Sequence, residues 1–169
     1  MPGQRLPLEP WSTFYVIISA AAATLLGLLF VFITLTAERG RKDAANIRIY
    51  LTPTVIYFSS ALLMSTFLTI PNLTRFTAAI CVCVEGVAGL GYSMSLAIWQ
   101  SAGYKDRSDL FPYVVFPFAG YGLMVAGGLL LLTRPQIGPD LIAAGILVLL
   151  GVAIRNSWAI AITIVSSQD

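Results

Sequence analysis

The stretch TFYVIISAAAATLLGLLFVFITLT, residues 13–36, contains no charged side chain. As a helix rising 1.5 Å per residue it is long enough to cross about 30 Å of hydrocarbon. In that medium its peptide groups find hydrogen-bond partners only by closing a helix. The segment is therefore read as a membrane span. It is too long for the apolar core of a signal peptide and lacks a small-residue cleavage site, so it is expected to stay as an anchor.

Outward from it, the pattern repeats. Apolar segments follow at about 50–70, 76–99, 110–133 and 141–165. The second is closed by Pro71, and the third is interrupted only by Glu85. The fourth has Pro112 and Pro117 near its start, and the fifth is interrupted by Arg155 and Asn156. The composition agrees. The chain is 57% hydrophobic and 11% charged, where a soluble domain carries roughly 25% charged residues. Its mean hydropathy is +0.84. There are too few charges to cover a water-facing surface, and the surplus apolar surface requires the bilayer as solvent.

The expected fold is all-α: a polytopic membrane helical bundle of five transmembrane helices, forming a single membrane domain over residues 1–169. The links PNLTR and RPQIGPD are short, which predicts antiparallel neighbours and an up-and-down bundle. Because Arg155 splits the last segment, four spans with a terminal interfacial helix is the alternative.

Orientation is read from the basic residues. Arg39, Arg41, Lys42 and Arg48 lie in the first link, and Lys105 and Arg107 in the third. Arg5, Arg75 and Arg134 lie on the other side, giving six against three. The positive-inside rule places the first and third links in the cytoplasm. With five spans the N-terminus is then outside and the C-terminus cytoplasmic. Trp11, Tyr15, Tyr50, Trp99, Tyr104 and Tyr113 fall near segment ends, where amphipathic rings favour the headgroup layer. Pro117 is expected to kink the fourth helix.

Several function classes are excluded by composition. The chain has no His, which removes the commonest general base and metal ligand. Cys81 and Cys83 lie about 200° apart around a helix, so they neither pair readily nor form a metal site without His. They are read as small apolar fillers. Glycine-rich phosphate-binding signatures are absent, and Glu85 is the only acid inside a span. A net charge of +2 without a basic run gives no nucleic-acid signal. No enzymatic activity, metal or cofactor is expected. Asn72-Leu73-Thr74 fits a glycosylation acceptor pattern, which carries no functional weight here.

Two features remain. Ser19, Ala23 and Gly27 recur at spacings of four on one face of the first helix. Small residues let helix backbones approach closely, so this stripe is the candidate packing interface between subunits. The other is Glu85, near mid-depth, where an ionisable group costs roughly 2.5–3.5 kcal/mol on insertion scales and should face protein or water. It is either a structural group, neutral or paired, or an ion or proton site. Arg155 supplies a partner. Glu85 lies about 14 Å and Arg155 about 21 Å from the outer edge, a gap that a long arginine side chain can close. A Glu85–Arg155 pair is therefore expected, with Asn156, Ser157 and Tyr92 as polar neighbours. In the alternative, Arg155 snorkels to the cytoplasmic interface.

The segments WSTFYVIISAAAATLLGLLFVFITL, LTIPN and IRNSW together resemble small bacterial integral-membrane proteins of uncharacterised function. Those open with an aromatic pair, an Ala-rich turn and GLLFV, and close with an Arg-Asn-aromatic helix. The resemblance implies a bacterial inner (plasma) membrane location and implies no activity. A shorter likeness joins LLMSTFLTIPN to the second span of the Orai calcium channels. This chain lacks an acid on its first span, where those channels place their selectivity ring, so no channel residue is carried over.

Two functional expectations follow. The first is a non-catalytic membrane protein that works by helix–helix assembly in the lipid bilayer, as a homo-oligomer or as a small subunit of a larger membrane complex. The second is a small oligomeric ion channel or transporter with Glu85 and Arg155 lining a polar path.

Overall fold

The computed structural model describes the backbone of residues 9–37, 44–101 and 107–166, and side chains within 11–35, 51–98 and 114–162. Arg5, Arg39, Arg41, Lys42, Lys105 and Tyr104 lie outside the described residues. So do the side chains of Arg48, Arg107, Tyr50, Trp99 and Tyr113.

The described chain forms five helices: α1 (Glu9–Ala37), α2 (Ala44–Leu68), α3 (Arg75–Ser101), α4 (Arg107–Thr133) and α5 (Gly138–Ser166). Each contains a stretch long and apolar enough to cross a membrane. The protein is therefore a polytopic membrane helical protein. The helices overrun the apolar segments at several ends, because helix formation continues into the polar flanks once the apolar turns are in place. α5 is one helix through Arg155 and Asn156, so the fifth segment has the length of a full span. α4 likewise continues through Pro112 and Pro117, and α2 through Pro53. Prolines are tolerated in membrane helices where neighbouring groups satisfy the freed carbonyls.

The spatial order departs from a simple up-and-down sequence of neighbours. Extensive packing joins α3 to α4, α4 to α5, α5 to α2, and α2 to α1. α5 thus sits between α2 and α4. The consecutive helices α2 and α3, joined by the short PNLTR link, barely touch. The physical reason lies in where the glycines face. A Cβ on Gly145 would stand 2.6 Å from the Gly120 carbonyl oxygen, and one on Gly127 would stand 2.8 Å from that of Gly138. α4 and α5 are therefore in near backbone contact. α3 is drawn to α4 in the same way: a Cβ on Gly86 would meet Val125 at 2.6 Å, and one on Gly128 would meet the Cys83 sulfur at 2.7 Å. Between apolar helices in lipid such close packing decides who neighbours whom.

The α2–α3 link is built from local bonds. Thr69 and Ile70 donate their N–H groups to the Thr66 and Phe67 carbonyls at 3.2 and 3.1 Å, closing the end of α2. Asn72 then takes φ 61°, a left-handed conformation that Asn tolerates better than most residues. Thr74 caps α3, its Oγ1 accepting from the Thr77 N–H at 3.2 Å. At the other turn, Asp140 lies in the first turn of α5, where an acid is favoured by the helix dipole.

α1 is peripheral. Tyr15, Ile18, Ala22 and Leu29 form its buried stripe, while Val16, Ile17, Leu28, Phe30 and Val31 are exposed. Tyr15 is fully buried, which corrects its reading as a headgroup-layer aromatic. It packs edge-on against Phe14, which packs edge-on against Trp11. The apolar requirement of the core outweighed the interfacial preference of the ring.

Candidate functional site

Several polar residues inside the bundle, from α2, α3 and α4, come together. Tyr57 and Ser60 lie on one face of α2, three residues apart, and both are buried. Tyr121, on α4, is fully buried opposite them. The Ser60 and Tyr121 hydroxyl oxygens are 2.9 Å apart. The rings of Tyr57 and Tyr121 are 6.3 Å apart, inclined at 58°. From α3, Gly89 opens the space that the Tyr121 ring occupies, since a Cβ there would run into the ring. That missing methyl lets the phenol reach past α3 toward Ser60.

Glu85 stands one helical turn before Gly89, so it shares that face of α3. It is half-buried, and the Ser60 hydroxyl acts on its carboxyl. Tyr121 feels its charge as well. Ser60 has a single proton to give. When that proton goes to the carboxylate, the Tyr121 O–H donates to Ser60 Oγ, and a chain of donors runs from Tyr121 through Ser60 to Glu85. Tyr92 stands close enough to act on both Tyr57 and Tyr121. Ser93 is buried beside Tyr57, yet its Oγ meets no partner at hydrogen-bonding geometry.

Of the residues expected at a polar site, the structure brings Glu85 and Tyr92 together and leaves the others elsewhere. Arg155, Asn156 and Ser157 belong to α5, which packs on α4 and α2 and is not among the helices that pack extensively on α3. The groups acting on the Glu85 carboxyl are Ser60 and Tyr121, and Arg155 is not among them. Arg155 is exposed on α5. Asn156 is 2% exposed, and its Oδ1 accepts no hydrogen bond. Ser157 returns its hydroxyl to the Ala153 carbonyl at 2.9 Å. Depth along a helix carries no information about which helices pack on each other.

Tyr57, Ser60, Ser93 and Tyr121 are the members that sequence reading missed. Their signal was present but weak. Tyr57 and Ser60 share a helical face at i and i+3, and Tyr121 is flanked by Gly120 and Gly122. Single hydroxyls are common in membrane helices, so only their convergence marks them.

On α1, Ser19 bonds back to the Val16 carbonyl at 2.9 Å, and Ala23 and Gly27 are exposed. A Cβ at Gly27 would meet nothing within 4 Å. The stripe lies about 100° around the helix from the buried Ala22 line, so it faces away from α2. The two thiols diverge as their spacing predicts. Cys83 points at α4, with its sulfur 3.7 Å from the Val125 carbonyl oxygen, while Cys81 faces the gap between α2 and α3. Among the described residues, no group of 3 or more His, Cys, Asp or Glu side chains stands together as a metal site.

The sequence matches no protein-family model, and neither a curated protein nor a solved structure matches the chain.

Proposed function

We propose that this is a non-catalytic integral-membrane protein that acts through helix–helix assembly, as a homo-oligomer or as a small subunit of a larger membrane complex. The observation that carries this reading is the outward stripe of Ser19, Ala23 and Gly27 on α1. The glycines at the α3–α4 and α4–α5 contacts are filled by a neighbour, whereas Gly27 has open space before it. α1 also has the smallest share of buried residues, 17% of its most apolar stretch against 44% for α2 and α5. A peripheral helix with an open small-residue face suits a partner helix. The proposed setting is a bacterial inner membrane with the N-terminus outside and the C-terminus cytoplasmic. The basic residues and the resemblance of both chain ends support that setting.

The test is the mass of the intact complex after mild extraction. Replacing Ala23 or Gly27 with Leu is expected to lower that mass to a single 18.2 kDa chain plus lipid and detergent, or to release a foreign partner. An unchanged mass in both variants, or a wild-type chain that is already alone, overturns the reading.

A second reading is favoured by the Glu85–Ser60–Tyr121 cluster: an oligomeric channel or transporter whose polar path includes Glu85. Ion flux in liposomes that changes on Glu85→Gln supports it, and absence of flux from the wild-type protein removes it.

A further inference from the structure

Where α2 and α3 fail to pack, a groove of about 410 Å³ opens on the outer surface of the bundle. Leu63, Met64 and Phe67 line it from α2, and Ile80 and Val84 line it from α3, with Glu85 as its one charged group. Leu63 and Val84 are 65% and 64% exposed, so the groove is open sideways. In helices that span the bilayer, sideways means toward lipid. Phe67 lies one residue from the end of α2, and Glu85 lies ten residues into α3. At 1.5 Å per residue, the groove therefore runs from the interface down to a carboxyl about 15 Å deep.

We propose that this groove is a binding site for a lipophilic organic cation, with Glu85 as its counter-charge. Three observations select this class. The first is charge. Glu85 is the one carboxyl in the groove, and no cationic side chain lines the wall beside it. Arg75, the nearest cation along α3, is about 15 Å away by helical rise. The second is the wall. Apart from Glu85, every lining residue is apolar or a thiol, so nothing there can replace the water shell of a small inorganic cation. A bulky cation with delocalised charge has little shell to lose. It gains apolar contact along Leu63, Ile80 and Val84, and the Phe67 ring at the mouth favours a cation on its face. The third is size. The volume falls within the range of about 300–1,000 Å³ of small-molecule pockets. The hydroxyl relay behind Glu85 then holds the carboxylate in place for the ligand. This site does not depend on the assembly role of α1, which lies beyond α2 from the groove.

The experiment uses the full chain in phosphatidylcholine nanodiscs and the probe tetraphenylphosphonium, with empty nanodiscs subtracted. Tetraphenylborate, of the same shape and opposite charge, is the control. Saturable binding of one tetraphenylphosphonium per chain is expected, weakened about tenfold or more by Glu85→Gln, as loss of a desolvated counter-charge requires. Val84→Trp, which fills the groove from its exposed wall, is expected to weaken binding comparably without touching the core. Ile17→Trp, on the lipid-facing side of α1, should leave binding unchanged. If Glu85→Gln does not fold, Val84→Trp alone decides the matter. The proposal is overturned if both variants bind like wild type, or if tetraphenylborate binds equally well. A wild-type chain that binds no probe also overturns it, and a complex mass that then changes on Val84→Trp gives the groove to a second copy.

Discussion

The Ser60 and Tyr121 hydroxyls meet at 2.9 Å inside the bundle, and they join two helices, α2 and α4, whose backbones are held together mainly through α5. A hydrogen bond between buried hydroxyls in a membrane protein is worth about 0.6–2 kcal/mol. Tyr121→Phe and Ser60→Ala should each lower unfolding stability in detergent by about 1 kcal/mol. The double variant should cost little more than either alone, because both remove the same bond. Full additivity in the cycle would show that the two groups act independently.

Gly89 and Gly91 differ by two positions and should differ sharply in tolerance. A Cβ at Gly89 enters the space of the Tyr121 ring, whereas one at Gly91 meets nothing within 4 Å. Gly89→Ala is expected to destabilise by about 1–3 kcal/mol through overpacking. Gly91→Ala should be neutral or slightly stabilising, since alanine is the better helix former. Denaturation midpoints of the two variants, measured side by side, decide the point.

The two cysteines should separate in the same way. The Cys83 sulfur lies against α4, where Gly128 makes room for it. Cys83→Leu should therefore cost about 1–3 kcal/mol. Cys81 faces the open groove, and Cys81→Leu should stay within about 0.5 kcal/mol of wild type. Equal losses in the two melting curves would mean that the groove is closed in the bilayer.

The link between α2 and α3 makes a backbone prediction. Thr74→Ala removes the cap on α3 and should cost about 1 kcal/mol. Asn72→Gly should be tolerated at φ 61°, whereas Asn72→Val should lower the melting temperature, because a β-branched residue resists that conformation. Equal melting temperatures for Asn72→Gly and Asn72→Val would show that the left-handed turn is dispensable.

How the spans lie along the chain was legible because hydropathy is a local property. The uncharged run 13–36 had no alternative to a helix in lipid, and Pro71 and the Pro–Gly-rich RPQIGPD segment marked turns wherever the helices were to lie. Glu85 was expected to face protein or water from its cost alone, and it is half-buried beside the groove. What it faces could not be read. Its expected partner was Arg155 at similar depth, but their helices α3 and α5 do not pack extensively on each other, and its neighbours are a serine on α2 and a tyrosine on α4. That arrangement depends on which glycines meet which helices. Gly120 against Gly145 and Gly128 against Cys83 bring α3, α4 and α5 into close contact, and the groove beside Glu85 is the space left over. Glycine positions are visible in sequence, but their pairing is a relation between distant segments. The chain alone therefore determined five helices and their lipid solvent. Only the tertiary packing decided their order in space, because in hydrocarbon every helix is soluble and close contact alone selects its neighbour.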